Sequence, residues 1–254
     1  MISRLVYTAA LSAAASLALA AQQTPEAADN YLMTLCRSVA EPGIPSDTLE
    51  QRLADFMYVS AHVGAPLREA AADSLARRLD GNTQAAEILM DYLGNPDSPM
   101  CNREQLILTL GALVAYGNYD EAYRQRMEFV REDASKNRVG SRAADFTFRT
   151  PSGSQATLYG SLAPEGQTLL IVYDPECESC QALIAKVAQS RFSGRVIAVT
   201  PGIDEAAPTL PAAWVSGFGP DTLDELYYLP VMPQYYLLDA DGTVAADSET
   251  IKFQ

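Results

Sequence analysis

Apolar side chains recur at helical spacing as far as about Asn137, and from Val139-Gly140-Ser141 onward the pattern changes to short runs of strand character. One packed layer cannot obey both periodicities, so the 254-residue chain is expected to build two domains in an α+β arrangement. Residues 22–138 read as an all-helical N-terminal domain and residues 139–254 as an α/β domain, a mixed sheet flanked by helices. In the first part, Leu49, Leu53, Phe56 and Met57 share a helix face. Asp47-Thr48-Leu49-Glu50 ahead of them reads as an N-cap with an acidic partner three residues on. Pro66 suits a first helical position, Ala71, Leu75 and Leu79 follow, and Gly81 stops the run. Residues 83–93, 102–116 and 120–137 continue the pattern, which predicts five or six helices and shows no internal repeat.

After the change, Phe146-Thr147-Phe148, Pro151-Ser152-Gly153 and Ala156-Thr157-Leu158-Tyr159 read as strand, turn and strand. Residues 168–173 have the length and composition of a buried central strand. Residues 177–190 are helical, with Leu183, Ile184 and Val187 apolar, and residues 195–200 form a second buried strand. Residues 235–238 and 243–246 flank Asp239-Ala240-Asp241-Gly242, a hairpin turn.

Residues 1–21 carry Arg4, an Ala- and Leu-rich run and a small-residue end, the organisation of a cleavable secretory signal. The other reading, a membrane anchor, needs about 20 strongly apolar residues, and this run is shorter and alanine-rich. Cleavage leaves no anchor and delivers the chain to an oxidising compartment, periplasmic or secreted, where disulfides are permitted. A net charge of −14 argues against nucleic acid and anionic membrane as partners. With His62 the single histidine, polyhistidine metal sites are excluded, and neither a metal nor a cofactor is expected.

Chemistry then falls to sulfur. Cys177-Glu178-Ser179-Cys180 follows the apolar strand and opens the next helix. A sulfur at a helix N-terminus meets unpaired N–H groups and the positive dipole end, both of which favour thiolate. The second cysteine stands one turn on, so Cys177 would attack a disulfide and Cys180 would resolve the mixed disulfide. The alternatives are half a zinc site, which lacks further ligands, and a static disulfide.

The segment Leu169-Leu170-Ile171-Val172-Tyr173-Asp174-Pro175-Glu176-Cys177-Glu178-Ser179-Cys180 resembles the strand-to-dithiol segment of the thioredoxin-like superfamily, in particular its secreted thiol–disulfide oxidoreductases. Leu229-Pro230-Val231-Met232-Pro233-Gln234-Tyr235-Tyr236-Leu237-Leu238-Asp239 resembles the segment with that fold's cis-proline, and Val139-Gly140-Ser141-Arg142-Ala143-Ala144-Asp145-Phe146 its opening hairpin. The resemblance covers residues 139–250. It implies that Pro233 is cis beside the dithiol, unless it is an ordinary turn proline, and that the Met232 backbone pairs with a substrate strand. Protein disulfides would then be the partners, with a membrane-embedded thiol relay as electron donor. Leu93-Gly94-Asn95-Pro96-Asp97-Ser98-Pro99-Met100 resembles a helical domain of unknown function that precedes such modules in secreted proteins of Bacteroidetes-type bacteria.

The chain departs from that pattern in several places. Ile171 stands where many thioredoxins keep a buried acid that relays the resolving thiol's proton, so either Asp174 or Glu176 acts from the loop or turnover is slow. Asp174, Glu176 and Glu178 surround Cys177 and are expected to raise its pKa, making the pair reducing, unless they are a solvated loop edge. The chain ends soon after the last hairpin where the family adds a helix, so the helical domain is expected to cover one sheet face. Cys36 and Cys101 are expected to pair across the helical domain, with buried thiols or a second redox pair as alternatives. Such a loop would stabilise by about 4 kcal/mol on the chain-entropy account. The functional expectation is an extracytoplasmic thiol–disulfide oxidoreductase of reductant type. Its rival is a scaffold whose helical domain binds a partner and whose Cys177–Cys180 pair is a static disulfide.

Overall fold

The computed structural model describes residues 25–39, 41, 43–202, 210–251 and 253. The expected signal at residues 1–21 lies outside them. The chain divides into two compact units, one ending at Ala134 and the other beginning at Ser135.

The first unit contains α1 (Pro25–Ser38), α2 (Ser46–Ala61), α3 (Ala65–Leu79), α4 (Thr83–Gly94), α5 (Arg103–Tyr116) and α6 (Glu121–Ala134). The apolar stripe of α2 is buried, with Leu53 inaccessible and Leu49, Phe56 and Met57 at 1% exposure. Ala71 and Leu75 of α3, Leu89 of α4 and Leu110 and Leu113 of α5 complete the core at 0%. Burying each leucine contributes about 1.5–3 kcal/mol. Helix starts are set by caps: Asn82 accepts the Ala85 N–H at 3.0 Å, and Asn102 the Gln105 N–H at 2.9 Å. At α2 the expectation needs correcting. The helix begins at Ser46 behind Pro45, which offers no side-chain cap, and the Asp47 carboxylate bonds the adjacent Thr48 N–H. Asp47 acts as a negative charge in the first turn, where the helix dipole favours one. Gly81 ends α3 for a steric reason as well as through its φ of 84°: an added Cβ would collide with the Asn118 carbonyl.

The expected pairing of Cys36 with Cys101 is not formed. Among the described residues there is no disulfide. Cys36 lies fully buried on α1 and its sulfur turns toward α3, donating to the Ala71 carbonyl at 3.6 Å. Cys101 sits in the turn before α5, where its N–H bonds the Ser98 carbonyl. Burial pushes the Cys36 thiol up to about 11, so it packs as a small neutral group.

The second unit contains β1 (Thr147–Arg149), β2 (Gln155–Thr157), α7 (Leu158–Ser161), β3 (Thr168–Val172), α8 (Glu178–Gln189), β4 (Arg195–Pro201), β5 (Val215–Gly219), α9 (Leu223–Leu226), β6 (Gln234–Leu238) and β7 (Val244–Asp247). Among the described residues the strands form one mixed sheet in the order β2-β1-β5-β4-β3-β6-β7. Strand β3 is central, parallel to β4 through the α8 crossover and antiparallel to β6. It is buried along its whole length, with Leu170 and Val172 on one face and Leu169 and Ile171 on the other.

Two elements differ from the sequence pattern. Leu158 and Tyr159, read as strand, begin the single turn α7, because the Thr157 hydroxyl caps it by accepting the Gly160 N–H at 3.0 Å. Strand β5 was not anticipated, since Gly217 and Gly219 weaken its strand character. A side chain at 217 would strike the Phe148 ring, so glycine is what lets β5 approach β1. The sheet face carrying Leu169 and Ile171 has Ile251 and Phe253, which follow β7, among the side chains packed against it.

Candidate active site

Three consecutive choices in the chain place the dithiol. Strand β3 ends at Val172, the loop Tyr173-Asp174-Pro175-Glu176 turns away from the sheet, and Cys177 becomes the N-cap of α8. The loop is braced by its own bonds. Asp174 accepts the Cys177 N–H on its carbonyl at 3.2 Å and the Glu176 N–H on its carboxylate at 2.8 Å. Gln181, one turn into α8, donates to the Pro175 carbonyl at 2.9 Å. The site thus stands at the carboxyl end of a central strand, where α/β sheets open to ligands.

Sheet register brings in the distant segment. Val172 pairs with Gln234, so the residues preceding β6 run beside those following β3. The Met232–Pro233 peptide is cis. The Met232 carbonyl lies 3.8 Å from the Cys177 sulfur, the contact that unites the two motifs. Val231, just before it in the chain, is 48% exposed and leaves an apolar side chain in solvent.

The two sulfurs have opposite environments. Cys177 is partly exposed. Its sulfur accepts the Cys180 N–H at 3.4 Å and lies 2.9 Å from the Ser179 hydroxyl. These hydrogen bonds, the Ser179 hydroxyl first, hold its thiol below the ordinary value. Cys180 is completely buried in the cluster of Leu169, Ile171, Tyr173 and Ile184. Burial, reinforced by Cys177, pushes its thiol up to about 12, against the Asp174 N–H that donates to its sulfur at 3.4 Å. One sulfur is poised as a nucleophile, and its partner is held protonated behind it.

The expectation that Asp174, Glu176 and Glu178 raise the Cys177 thiol is therefore corrected. Glu176 and Glu178 are exposed, where solvent screens them, and the Asp174 carboxylate is engaged by the Glu176 N–H. Local donors outweigh them. Ile171 is fully buried beneath Cys180 and offers no proton relay. Of the loop acids, Asp174 is the one whose charge acts on Cys180.

Sequence reading overlooked Ser179 and Gln181. Ser179 is exposed at the second position of α8, and its hydroxyl lies 3.3 Å from the Met232 carbonyl as well as 2.9 Å from the Cys177 sulfur. A hydroxyl between the two cysteines was the available signal; its reach to a residue so far along the chain was not. Among the described residues no group of three His, Cys, Asp or Glu side chains gathers as a metal site, and no helix is long and apolar enough to cross a membrane.

A central β3 followed by a dithiol at the start of its crossover helix, with a cis-proline segment alongside, defines a thioredoxin-like α/β domain, here preceded by an all-helical one. The solved structure of a thioredoxin-like protein from Bacteroides caccae is similar at 26% identity and a TM-score of 0.74, over 86% of this chain and 88% of that one. Smaller matches are a C-terminal domain of an uncharacterized protein from Bacteroides fragilis and a putative protein disulfide isomerase from Bacteroides thetaiotaomicron. The first is 28% identical over 47% of this chain and 92% of its own, with a TM-score of 0.37. The second is 18% identical over 44% and 78%, with a TM-score of 0.35. No family model matches the chain, and no curated protein matches it.

Proposed function

We propose that the chain exchanges electrons with protein disulfides through Cys177 and Cys180. The observation that carries this reading is the asymmetry of the pair: an accessible Cys177 sulfur stabilised as thiolate, one turn from a buried Cys180 held as thiol. In the reducing direction the Cys177 thiolate attacks a substrate disulfide. A new S–S bond forms to Cys177, the substrate S–S bond breaks, and the departing substrate sulfur takes a proton. Cys180 then gives up its proton and attacks Cys177, so the second substrate thiol leaves and the protein keeps a Cys177–Cys180 disulfide. Two electrons have passed to the substrate, and an external dithiol must restore them. Once Cys177 is in the mixed disulfide its negative charge is gone, which eases ionisation of Cys180.

The secretory reading of residues 1–21 supports a place outside the cytoplasm, with a membrane thiol relay as the donor. The reductant direction loses the warrant it drew from the loop carboxylates, since Cys177 is lowered rather than raised. An equilibrium redox titration decides it. The Met232 backbone beside exposed Val231 is the docking edge for an extended substrate chain.

The test is trapping with Cys180→Ser in the full chain. The variant should accumulate mixed disulfides that reductant releases, and Cys177→Ser should accumulate none. No capture by Cys180→Ser, with a static Cys177–Cys180 disulfide in the wild-type protein, would overturn the exchange reading in favour of a scaffold.

A further inference from the structure

Ser179 has one hydroxyl proton and two acceptors within reach. The Cys177 sulfur is 2.9 Å away and the Met232 carbonyl oxygen 3.3 Å, while those two groups stand 3.8 Å from each other. The three close a triangle whose hydrogen bonds depend on the state of the sulfur. With Cys177 as thiol, S–H donates to the Ser179 oxygen and the Ser179 O–H donates to Met232. With Cys177 as thiolate, the sulfur only accepts, so the Ser179 O–H must turn to it and leave the Met232 carbonyl.

That carbonyl is also the acceptor an incoming extended chain would use. Its edge is open, with Met232 and Pro233 only partly buried and Val231 exposed next to them. A docked backbone N–H that occupies Met232 removes the reason for Ser179 to point there. We propose that Ser179 is a positioning residue coupling the docking of a substrate strand to formation of the Cys177 thiolate, by moving its hydroxyl proton from the Met232 carbonyl to the sulfur. This deepens the exchange reading and rests on it. The device makes the nucleophile strongest when a polypeptide lies in the groove and weaker toward small disulfides that dock no strand. The lowered Cys177 thiol, with Ser179 as its first cause, agrees with the geometry.

The test compares two oxidants under single-turnover conditions with prereduced full-length protein. One is insulin, which presents polypeptide; the other is hydroxyethyl disulfide, which has no backbone to donate to Met232. In the wild-type protein the pH profile with insulin should rise at lower pH than that with hydroxyethyl disulfide. Ser179→Ala should raise both inflections and bring them together, with a roughly tenfold loss on insulin below the inflection and a smaller loss on the small disulfide. Ser179→Thr, which keeps the hydroxyl, should restore the gap. Equal losses on both oxidants would make Ser179 a fixed donor and overturn the coupling, as would coincident wild-type profiles. Cys180→Ser trapping on the same preparations separates the two claims. Capture without a Ser179-dependent gap overturns the coupling alone, whereas no capture and no insulin reduction overturn the exchange reading and the coupling with it.

Discussion

Residues three positions apart in one sequence motif receive opposite chemistry because the helix start and the sheet core meet between them. Cys177 caps α8 and collects the Cys180 N–H and the Ser179 hydroxyl, while Cys180 is driven into the cluster above Ile171. The sign follows directly. A lowered thiol pKa enlarges the thiolate fraction at any pH below it, and a raised one shrinks it, so the two cysteines separate on a pH axis. Iodoacetamide at neutral pH is expected to label Cys177 and leave Cys180 unlabelled in peptide mapping of the reduced protein. The Cys177 rate should level off below the ordinary thiol range, and Cys180 should react only as the pH approaches about 12 or the fold opens. Equal labelling of both at neutral pH would contradict the asymmetry on which the mechanism depends.

At the scale of elements, what could be read from the chain is what local pattern encodes. The buried runs of β3 and β4 and the helix opening at the dithiol were legible because length, composition and position agree there. Strand β5 was not, because its two glycines serve a neighbour rather than the strand itself. Gly217 answers the Phe148 ring across the β1–β5 pairing, a contact no local window contains. The same holds at the site, where nothing near Cys177 in sequence announces Met232, which the Val172–Gln234 register delivers. The carboxylate argument failed for a related reason: charge near in sequence is screened in solvent, while donors near in space are not. Gly217→Val gives this a measurement. Overpacking against Phe148 should cost about 1–3 kcal/mol and lower the midpoint of thermal unfolding. Gly219→Ala, whose Cβ would meet only ordinary contacts, should cost less. A Gly217→Val protein as stable as wild type would mean that β1 and β5 are not held together as described.

The whole molecule stabilises its two units by burial rather than by cross-links, and that sets how it responds to redox conditions. A disulfide between Cys36 and Cys101 would have tied the first unit through a long loop, with about 4 kcal/mol of loop-closure stabilisation that reductant could remove. Instead the Cys36 thiol sits at 0% exposure against the Ala71 carbonyl, and the same burial that pushes it up to about 11 keeps oxidants and partner thiols away from it. Two consequences can be measured together. Intact mass and thiol counting of non-reduced protein should change by one disulfide between the oxidised and reduced forms, assigned to Cys177 and Cys180. Helical unfolding followed by circular dichroism should shift little when dithiothreitol is added, because no loop in α1–α6 is released. Cys36→Ser should destabilise instead, by about 1–3 kcal/mol, since it buries a more polar hydroxyl in a site shaped for a thiol. A Cys36–Cys101 peptide in the non-reduced digest, or a reductant-dependent fall in the helical transition, would overturn this account. Either result would show that Cys36 and Cys101 pair as a disulfide and that this cross-link helps hold the helical unit.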